Sequence, residues 1–445
     1  MSVSKICCIG AGYVGAPTMA VIALKCPHLN ITVIDNNKKK IQQWNGPIDN
    51  LPVYEPGLSE IIKEVRNKNL FFSNEIQESI NDADMIFIAV NTPTKVKGKG
   101  AGMAADLKYV ESSAKTIAKF SKTNKIIVEK STLPVRTAEK IKEILNENNS
   151  KVKFEVLSNP EFLAEGTAIQ DLFKSDRVLI GGDSTKSGQS AIKSLVNIYK
   201  NWIPSNKILT VNIWSAELSK LASNAMLAQR ISSINSLSAL CEKTEADIEE
   251  VSLAVGMDKR IGNEFLKVSP GFGGSCFKKD ILNLVYLCQF YGLNEVAEYW
   301  NGVLKINDFQ RSRIFTIVDS YIKKVKIKKE ISILGWAFKK NTNDTRESSS
   351  IYVASQFLKN DYKINIYDPK VKDYQIKNDL NILGHTSDEL EIKAKYFNSL
   401  DKLINQESPI LIMTEWDEFK NINNKKSSVF DFRNILDKSK VTYRF

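Results

Sequence analysis

Short apolar runs alternate with longer amphipathic stretches through the first half of the chain. KICCIG (5–10), ITVID (31–35), MIFIAV (85–90), KIIVEK (125–130), FEVLS (154–158), RVLIGG (177–182) and KILTV (207–211) are too short for helices and rich in β-branched residues. Strands of this kind, separated by helical segments, predict parallel β-α-β units and a doubly wound sheet. The pattern stops near Asn212. From Trp214 to about Tyr321 strand signals vanish, and Leu218, Leu221, Ala225, Ala228, Ile231, Ile234, Leu237 and Cys241 recur at three- and four-residue steps, as in one long helix. Its Ala and Ser content allows close approach of a partner helix, so a dimer core is expected there. Strand signals return with EISILGW (330–336), KINIYD (363–368) and SPILIMT (408–414), with a helix over 347–358. The expected fold class is therefore α/β: two Rossmann-like doubly wound domains joined by a central long-helix all-α domain. The expected boundaries are 1–212, 213–322 and 323–445.

Composition narrows the functional classes. A chain of 445 residues and 50.1 kDa, 43% hydrophobic and 25% charged, has the make-up of a globular protein of about three domains rather than a disordered one. Its apolar runs fall far short of the roughly 20 residues that cross a bilayer, and no secretory signal opens the chain. No membrane association and a cytoplasmic location are expected. Lys and Arg (62) exceed Asp and Glu (51), for a net charge of +11, but the lysines are scattered. The densest group, Lys323, Lys324, Lys326, Lys328 and Lys329, reads as a solvated linker, so no nucleic-acid partner is expected and an anionic small molecule is the simpler use of the charge. The cysteines Cys7, Cys8, Cys26, Cys241, Cys276 and Cys288 contain no C-x-x-C pair. Neither a disulfide framework nor a metal site is expected, and Cys7 and Cys8 should face opposite sides of one strand. With only His28 and His385 available, an enzyme of this sequence would work through Lys, carboxylates or Cys.

Four segments carry chemistry. Gly10-Ala11-Gly12-Tyr13-Val14-Gly15 follows a strand and opens a helix, the arrangement that seats a dinucleotide pyrophosphate on a helix N-terminus. Asp35 ends the next strand, where a carboxylate binds ribose hydroxyls and repels a 2′-phosphate, favouring NAD over NADP. Gly271-Phe272-Gly273-Gly274-Ser275-Cys276 lets backbone wrap a bulky ligand, with Ser275 as a helix cap and Cys276 in the first turn, where the helix dipole and nearby lysines favour the thiolate. Asp280 lies one turn on, on the same face. An inert core role is the ordinary reading for Cys241 and Cys288; for Cys276 the glycines and charges point to a nucleophile. Lys220 and Asn224, also one turn apart, form a polar patch on a helix otherwise rich in Ala, Ser and Leu. Asn91-Thr92-Pro93, Glu129-Lys130-Ser131-Thr132 and Asn159-Pro160-Glu161 through Gly166 each follow a strand, where loops line a ligand crevice but also serve simply as turns and caps.

These segments, with LPVYEPGL, EKSTLPV, LSNPEFLAEGTAI, ELSKLASNA, GMDKRIGNEFLK, GFGGSCFKKD and FKKNTNDTRESSSIY in order, resemble the UDP-glucose/GDP-mannose dehydrogenase family, in its eukaryotic type, over essentially the whole chain. The resemblance implies four-electron oxidation of UDP-glucose to UDP-glucuronate with two NAD molecules. It implies Cys276 as nucleophile through a thiohemiacetal and a thioester, Lys220 and Asn224 as oxyanion donors, Asp280 with Lys220 managing protons, and Glu161 with Thr132 assisting aldehyde formation or hydrolysis. NAD would meet Gly10, Ala11, Gly12, Tyr13, Val14, Gly15, Asp35, Lys40, Val90, Thr92, Ser131, Thr132, Glu165 and Arg346. The sugar nucleotide would meet Glu161, Phe162, Leu163, Lys220, Asn224, Phe265, Lys267, Phe272, Gly273, Phe338, Lys339 and Arg433, with Arg260 from a neighbouring subunit. The family places Gly before the arginine that matches Arg433; this chain has Phe432. A homo-oligomer is implied, a dimer through the central helix, its order left open between that dimer and a hexamer. The alternatives are a dehydrogenase of another nucleotide sugar (UDP-N-acetylhexosamine or GDP-mannose type) and a non-catalytic NAD-binding regulator, which would have lost Cys276, Lys220 or Asp280.

Overall fold

The computed structural model describes residues 3–422 and 426–445, and the chain divides into two compact units, Met1–Ser223 and Asn224–Phe445. In the first unit, β1 (Lys5–Ile9), β2 (Asn30–Ile34), β3 (Leu70–Ser73), β4 (Met85–Ile88), β5 (Lys125–Glu129), β6 (Phe154–Ser158), β7 (Val178–Gly182) and β8 (Ile208–Asn212) form one sheet, ordered β3-β2-β1-β4-β5-β6-β7-β8. The central strands are covered on both faces: β4 and β5 are buried at every residue, β4 apolar throughout and β5 apolar between Lys125 and Glu129. Cys7 packs into the core on one face and Cys8 into the core on the other, as alternation along a strand requires.

One pairing departs from the parallel expectation. β7 meets β6 antiparallel, at Ser158 opposite Gly181, while β8 again runs parallel to β7. The segment after β6 does not cross over the sheet; it stays at the carboxyl end, holds the residues 159–166, and re-enters beside Asn159, whose amide donates to Leu179 O at 2.8 Å.

The helix Ile213–Thr244 begins in the first unit and continues into the second. It is the long helix expected, but the apolar stripe is not one face: Leu218 and Leu237 are exposed, whereas Leu221, Ala225, Ala228, Ile234 and Cys241 are buried. Successive three-residue steps from Ala228 to Leu237 each fall back about 60° on a 3.6-residue helix, so a stripe built on them winds around the rod.

The second unit adds the helices Ile248–Gly256, Phe277–Phe290 and Asn294–Val325, then a six-stranded parallel sheet. Its strands are β9 (Glu330–Leu334), β10 (Lys363–Tyr367), β11 (Ala394–Tyr396), β12 (Ile410–Ile412), β13 (Val429–Asp431) and β14 (Tyr443–Arg444), ordered β11-β10-β9-β12-β13-β14. The lysine-rich stretch is not wholly a linker: Lys323 and Lys324 lie in the last turn of Asn294–Val325, Lys323 pairs with Asp319, and Lys326 ends the helix in the left-handed region at φ 56°. β3, β11, β13 and β14 carried no sequence signal long enough to announce them. No helix among the described residues is long and apolar enough to cross a membrane.

Candidate active site

In the first unit the predicted residues gather at the carboxyl ends of adjacent strands. The tight turn after β1 admits only glycine at its ends: a Cβ on Gly10 (φ 112°) would lie 2.4 Å from Ala89 O, and one on Gly15 would lie 2.1 Å from Gly10 O. Over Gly12, by contrast, nothing stands within 4 Å. That open face beside the start of the helix Gly15–Lys25 is what a pyrophosphate requires, so the residues present fit a dinucleotide. Asp35 is fixed beside the turn. It accepts from Ala11 N at 3.1 Å, Asn37 N at 2.9 Å and Lys40 Nζ at 3.0 Å. Burial raises the pKa of its carboxyl, but the donors from Asn37, Lys40 and Ala11 outweigh it and hold the group below its ordinary value. After β4 and β5, Ser131 Oγ donates to Val90 O at 2.7 Å and Thr92 Oγ1 to Thr132 O at 3.1 Å, which ties the two loops into one wall.

After β6 the same wall turns into a charged pocket. Glu161 and Lys220 are buried, their charged atoms 3.9 Å apart. The polar patch expected at Lys220 is thus buried rather than solvated. Glu161 Oε2 is buried and takes no hydrogen bond among the described residues, which leaves one carboxylate oxygen for a proton from outside the protein. Phe162 lies beneath two cations, the Arg177 guanidinium at 3.8 Å and Lys220 Nζ at 5.2 Å from its ring centre. Such contacts contribute about 1–2 kcal/mol when desolvated, so Arg177 helps hold the ring. Leu163 and Glu165 are partly buried in the following turn. Lys130, Asn159 and Tyr199 form a buried hydrogen-bonded group behind this loop; Lys130 and Asn159 stood in strand-following motifs, whereas nothing in the sequence signalled Tyr199.

In the second unit, Cys276 is half-buried at the head of Phe277–Phe290. The helix starts one residue later than expected: Cys276, not Ser275, is its N-cap, because Gly274 is still in a left-handed turn (φ 84°) whose N–H donates to Arg346 O at 2.8 Å. Ser275 Oγ faces the thiol instead, 3.4 Å from Sγ. Asp280 N–H donates to Cys276 O at 2.8 Å, and the Asp280 carboxylate is buried against Asn224 Nδ2 at 2.6 Å, with Lys279 Nζ at 3.5 Å.

The glycine-rich approach to the thiol is held from behind. Phe272 N donates to Asn307 Oδ1 at 2.8 Å, and Arg311 Nη2 donates to both Phe272 O (3.0 Å) and Glu347 O (2.8 Å). A Cβ on Gly273 would lie 2.7 Å from Glu347 O and 2.8 Å from Phe338 Cβ, so Phe272, Gly273 and Phe338 belong to one surface. Lys339 follows Phe338. Arg346 pairs with Asp344, while Arg433 donates to Phe338 O (2.9 Å) and Met413 O (2.8 Å) and pairs with Glu415 at 3.2 Å. Phe432 points away, fully buried among Phe430, Tyr443 and Phe445. The larger residue therefore does not obstruct the Arg433 side chain. Lys267 is exposed between the buried Leu266 and Val268; Phe265 is exposed in a left-handed turn (φ 62°); and Arg260 lies outermost, paired with Asp258. All six cysteines are free, and among the described residues no His, Cys, Asp or Glu cluster could hold a metal.

Residues 4–203, 214–309 and 332–438 match, in turn, the NAD binding domain, the central domain and the UDP binding domain of the UDP-glucose/GDP-mannose dehydrogenase family. The chain is 53% identical to UDP-glucose 6-dehydrogenase 1 of Glycine max and 52% identical to UDP-glucose 6-dehydrogenase 2 of Arabidopsis thaliana, over 98% of this chain and 94% of each relative. Among solved structures, a UDP-glucose dehydrogenase from the hyperthermophilic archaeon Pyrobaculum islandicum superposes with a TM-score of 0.86 at 29% identity, over 99% of this chain and 97% of that one.

Proposed function

The chain belongs to the UDP-glucose/GDP-mannose dehydrogenase family, and from that premise we propose that its residues carry NAD-dependent oxidation of UDP-glucose to UDP-glucuronate through a covalent cysteine adduct. It is a UDP-glucose 6-dehydrogenase and its cofactor is NAD. The division of labour follows the boundaries 1–212, 213–322 and 323–445: cofactor binding, a helical centre, and UDP binding. The observation that carries the covalent route is the half-buried Cys276 thiol at a helix head, one turn from a buried carboxylate held by Asn224.

Bound NAD supplies the hydride acceptor for each oxidation; Gly10 to Gly15, Asp35, Lys40, Val90, Thr92, Ser131, Thr132, Glu165 and Arg346 would hold it. The chain's own residues do the rest. Asp280 and Lys220 take the hydroxyl proton as the alcohol becomes an aldehyde. Cys276 Sγ then adds to the aldehyde carbon, and the proton it loses passes to the new oxygen, giving a thiohemiacetal. Lys220 and Asn224 stabilise negative charge on that oxygen. Loss of a hydride from carbon and a proton from the hydroxyl leaves a thioester, which one water cleaves to carboxylate, a proton and free thiol. Glu161, with its unused carboxylate oxygen and Thr132 nearby in the wall, serves as the base for water or for the first oxidation.

Phe162, Leu163, Phe265, Lys267, Phe272, Gly273, Phe338, Lys339 and Arg433 are assigned to the sugar nucleotide. We assign Arg260, exposed and outermost, to the site of a second subunit. Met226, Leu237 and Leu240 are exposed apolar residues on one long helix, which supports a dimer through that helix. The test is stoichiometric: two NADH per UDP-glucose, with slower turnover of UDP-N-acetylglucosamine and GDP-mannose. A ratio near one, or preference for another sugar, overturns the reading.

A further inference from the structure

Behind Glu161 lies a buried cation that the mechanism above does not use. Lys130 is 4% exposed at the carboxyl end of β5. Its Nζ donates to Asn159 Oδ1 at 3.2 Å and to Tyr199 OH at 3.4 Å, and the Tyr199 hydroxyl donates to the same Asn159 oxygen at 2.7 Å. The Asn159 amide is spent on Leu179 O, and its N–H donates to Glu129 O at 2.8 Å. Asn159 is thus held at both ends, and Glu161 follows two residues later.

An isolated ammonium in such a place would be costly, and a structural role would be met by a neutral donor. Among the described residues the carboxylate that acts on this charge is Glu161. Burial pulls the Lys130 pKa down to about 8; the Glu161 carboxylate pushes it back up, and the Lys220 ammonium adds to the depression. Cys8, beneath the nucleotide turn, opposes the depression slightly, and its own thiol is pushed up to about 12 by burial. Tyr199 stays a neutral donor, its phenol raised by burial. The facing groups are therefore Cys8 from β1, Tyr199 from the helix Lys186–Tyr199, Glu161 from its loop and Lys220 from the long helix.

We propose that Lys130 is a positioning residue for the oxidation: it fixes Asn159 and hence Glu161, and its charge sets the proton balance between Glu161 and Lys220. This rests on the assignment of Glu161 and Lys220 to proton handling above. Below about pH 8 the ammonium is charged and faces Glu161 and Lys220; above it that charge is lost from the pocket wall. A reaction that releases protons into a closed pocket is then sensitive to the state of a group touching neither substrate nor cofactor.

The experiment is a pH profile of kcat and kcat/KM for UDP-glucose from pH 6 to 10 in wild type, Lys130→Arg, Lys130→Met and Tyr199→Phe, with NAD affinity measured by fluorescence titration. The wild type should show an inflection near pH 8. Lys130→Met should lower kcat by about 10-fold or more at pH 7 and abolish the inflection, since one pKa unit of lost interaction is a factor of ten. Lys130→Arg should keep most of the pH 7 rate and also lose the inflection. Tyr199→Phe, which keeps the ring, should shift the inflection without removing it, and it provides the test if the lysine variants fail to fold. An inflection unchanged in all folded variants, with NAD affinity intact, overturns the proposal. Wild-type protein that makes two NADH per sugar but fails this test loses only the role of Lys130. Wild-type protein that does not oxidise UDP-glucose refutes the functional assignment itself.

Discussion

The two sheets of this protein share a strand order and spend it differently. The six strands β3-β2-β1-β4-β5-β6 of the first repeat as β11-β10-β9-β12-β13-β14 in the second. In both, a left-handed glycine follows the central strand (Gly10 at φ 112°, Gly335 at φ 95°) and an aspartate ends the next strand (Asp35, Asp368). The difference lies in what meets that acid. Asp35 accepts from Ala11 and Asn37 backbone and pairs with Lys40 at the rim of an open glycine turn. Asp368 is buried and saturated, accepting from the backbone of Trp336, Ala337, Lys370 and Val371 and from the Trp416 indole. The first sheet starts its next helix at Gly15, five residues after the turn glycine; the second delays its helix to Ser349 and fills the turn with the fully buried Trp336. One framework thus leaves its crevice for a dinucleotide. The other closes it with indoles and carries its polar contacts on the stretch from Phe338 to Glu347.

The largest effect should come from emptying the apolar plug unique to the second sheet. Phe432→Ala removes a side chain packed on three aromatic rings and should cost about 3–5 kcal/mol in chemical denaturation while NAD affinity holds. Next come the turn glycines. Gly10→Ala and Gly335→Ala each force a Cβ to within about 2.4 Å of a neighbour (2.4 Å to Ala89 O, 2.3 Å to Thr414 Cβ) and should each cost about 2–4 kcal/mol. Only the first should abolish NAD binding; equal loss in both would erase the distinction between the sheets.

The aspartates sharpen it further. Asp368→Asn should destabilise by about 2–3 kcal/mol, because an amide cannot accept all the buried donors, with no change in NAD affinity. Asp35→Asn should change stability by less than about 1 kcal/mol yet weaken NAD by 10-fold or more and narrow the preference over NADP, since Lys40 is then left to meet a 2′-phosphate.

The smallest effect concerns a feature of the first sheet alone. Glu217, which accepts from Arg136 N and Ala138 N, has its pKa raised to about 7, by burial first, beside the buried Glu129. A carboxyl whose folded pKa lies above its unfolded one stabilises fully below about pH 4.5, and that contribution is lost as pH rises through about 7. Melting temperature should fall across that window in wild type and flatten in Glu217→Gln.

Much of this was legible in the sequence where local chemistry decides the outcome. The glycine turn, Asp35, the long helix and the Cys276 loop follow from φ requirements, strand-then-helix pattern and spacing. β13 and β14 were not, because three- and two-residue strands are defined by their neighbours rather than by their own pattern. Nor was the antiparallel β7, since periodicity does not encode direction. Lys220 and Asn224 were legible as a polar patch, but the burial of Lys220 beside Glu161 comes only from tertiary packing, and Tyr199, Asn307 and Arg311 lie in helices whose sequences give no sign of what they hold.

The most direct test of the central claim replaces the sulfur of Cys276 by oxygen. In Cys276→Ser, full turnover of UDP-glucose should fall by about 1,000-fold or more while NAD affinity and melting temperature stay at wild-type values, because the side chain is needed only after the first two electrons have left. Two NADH released per UDP-glucose at the wild-type rate by that variant would contradict the account.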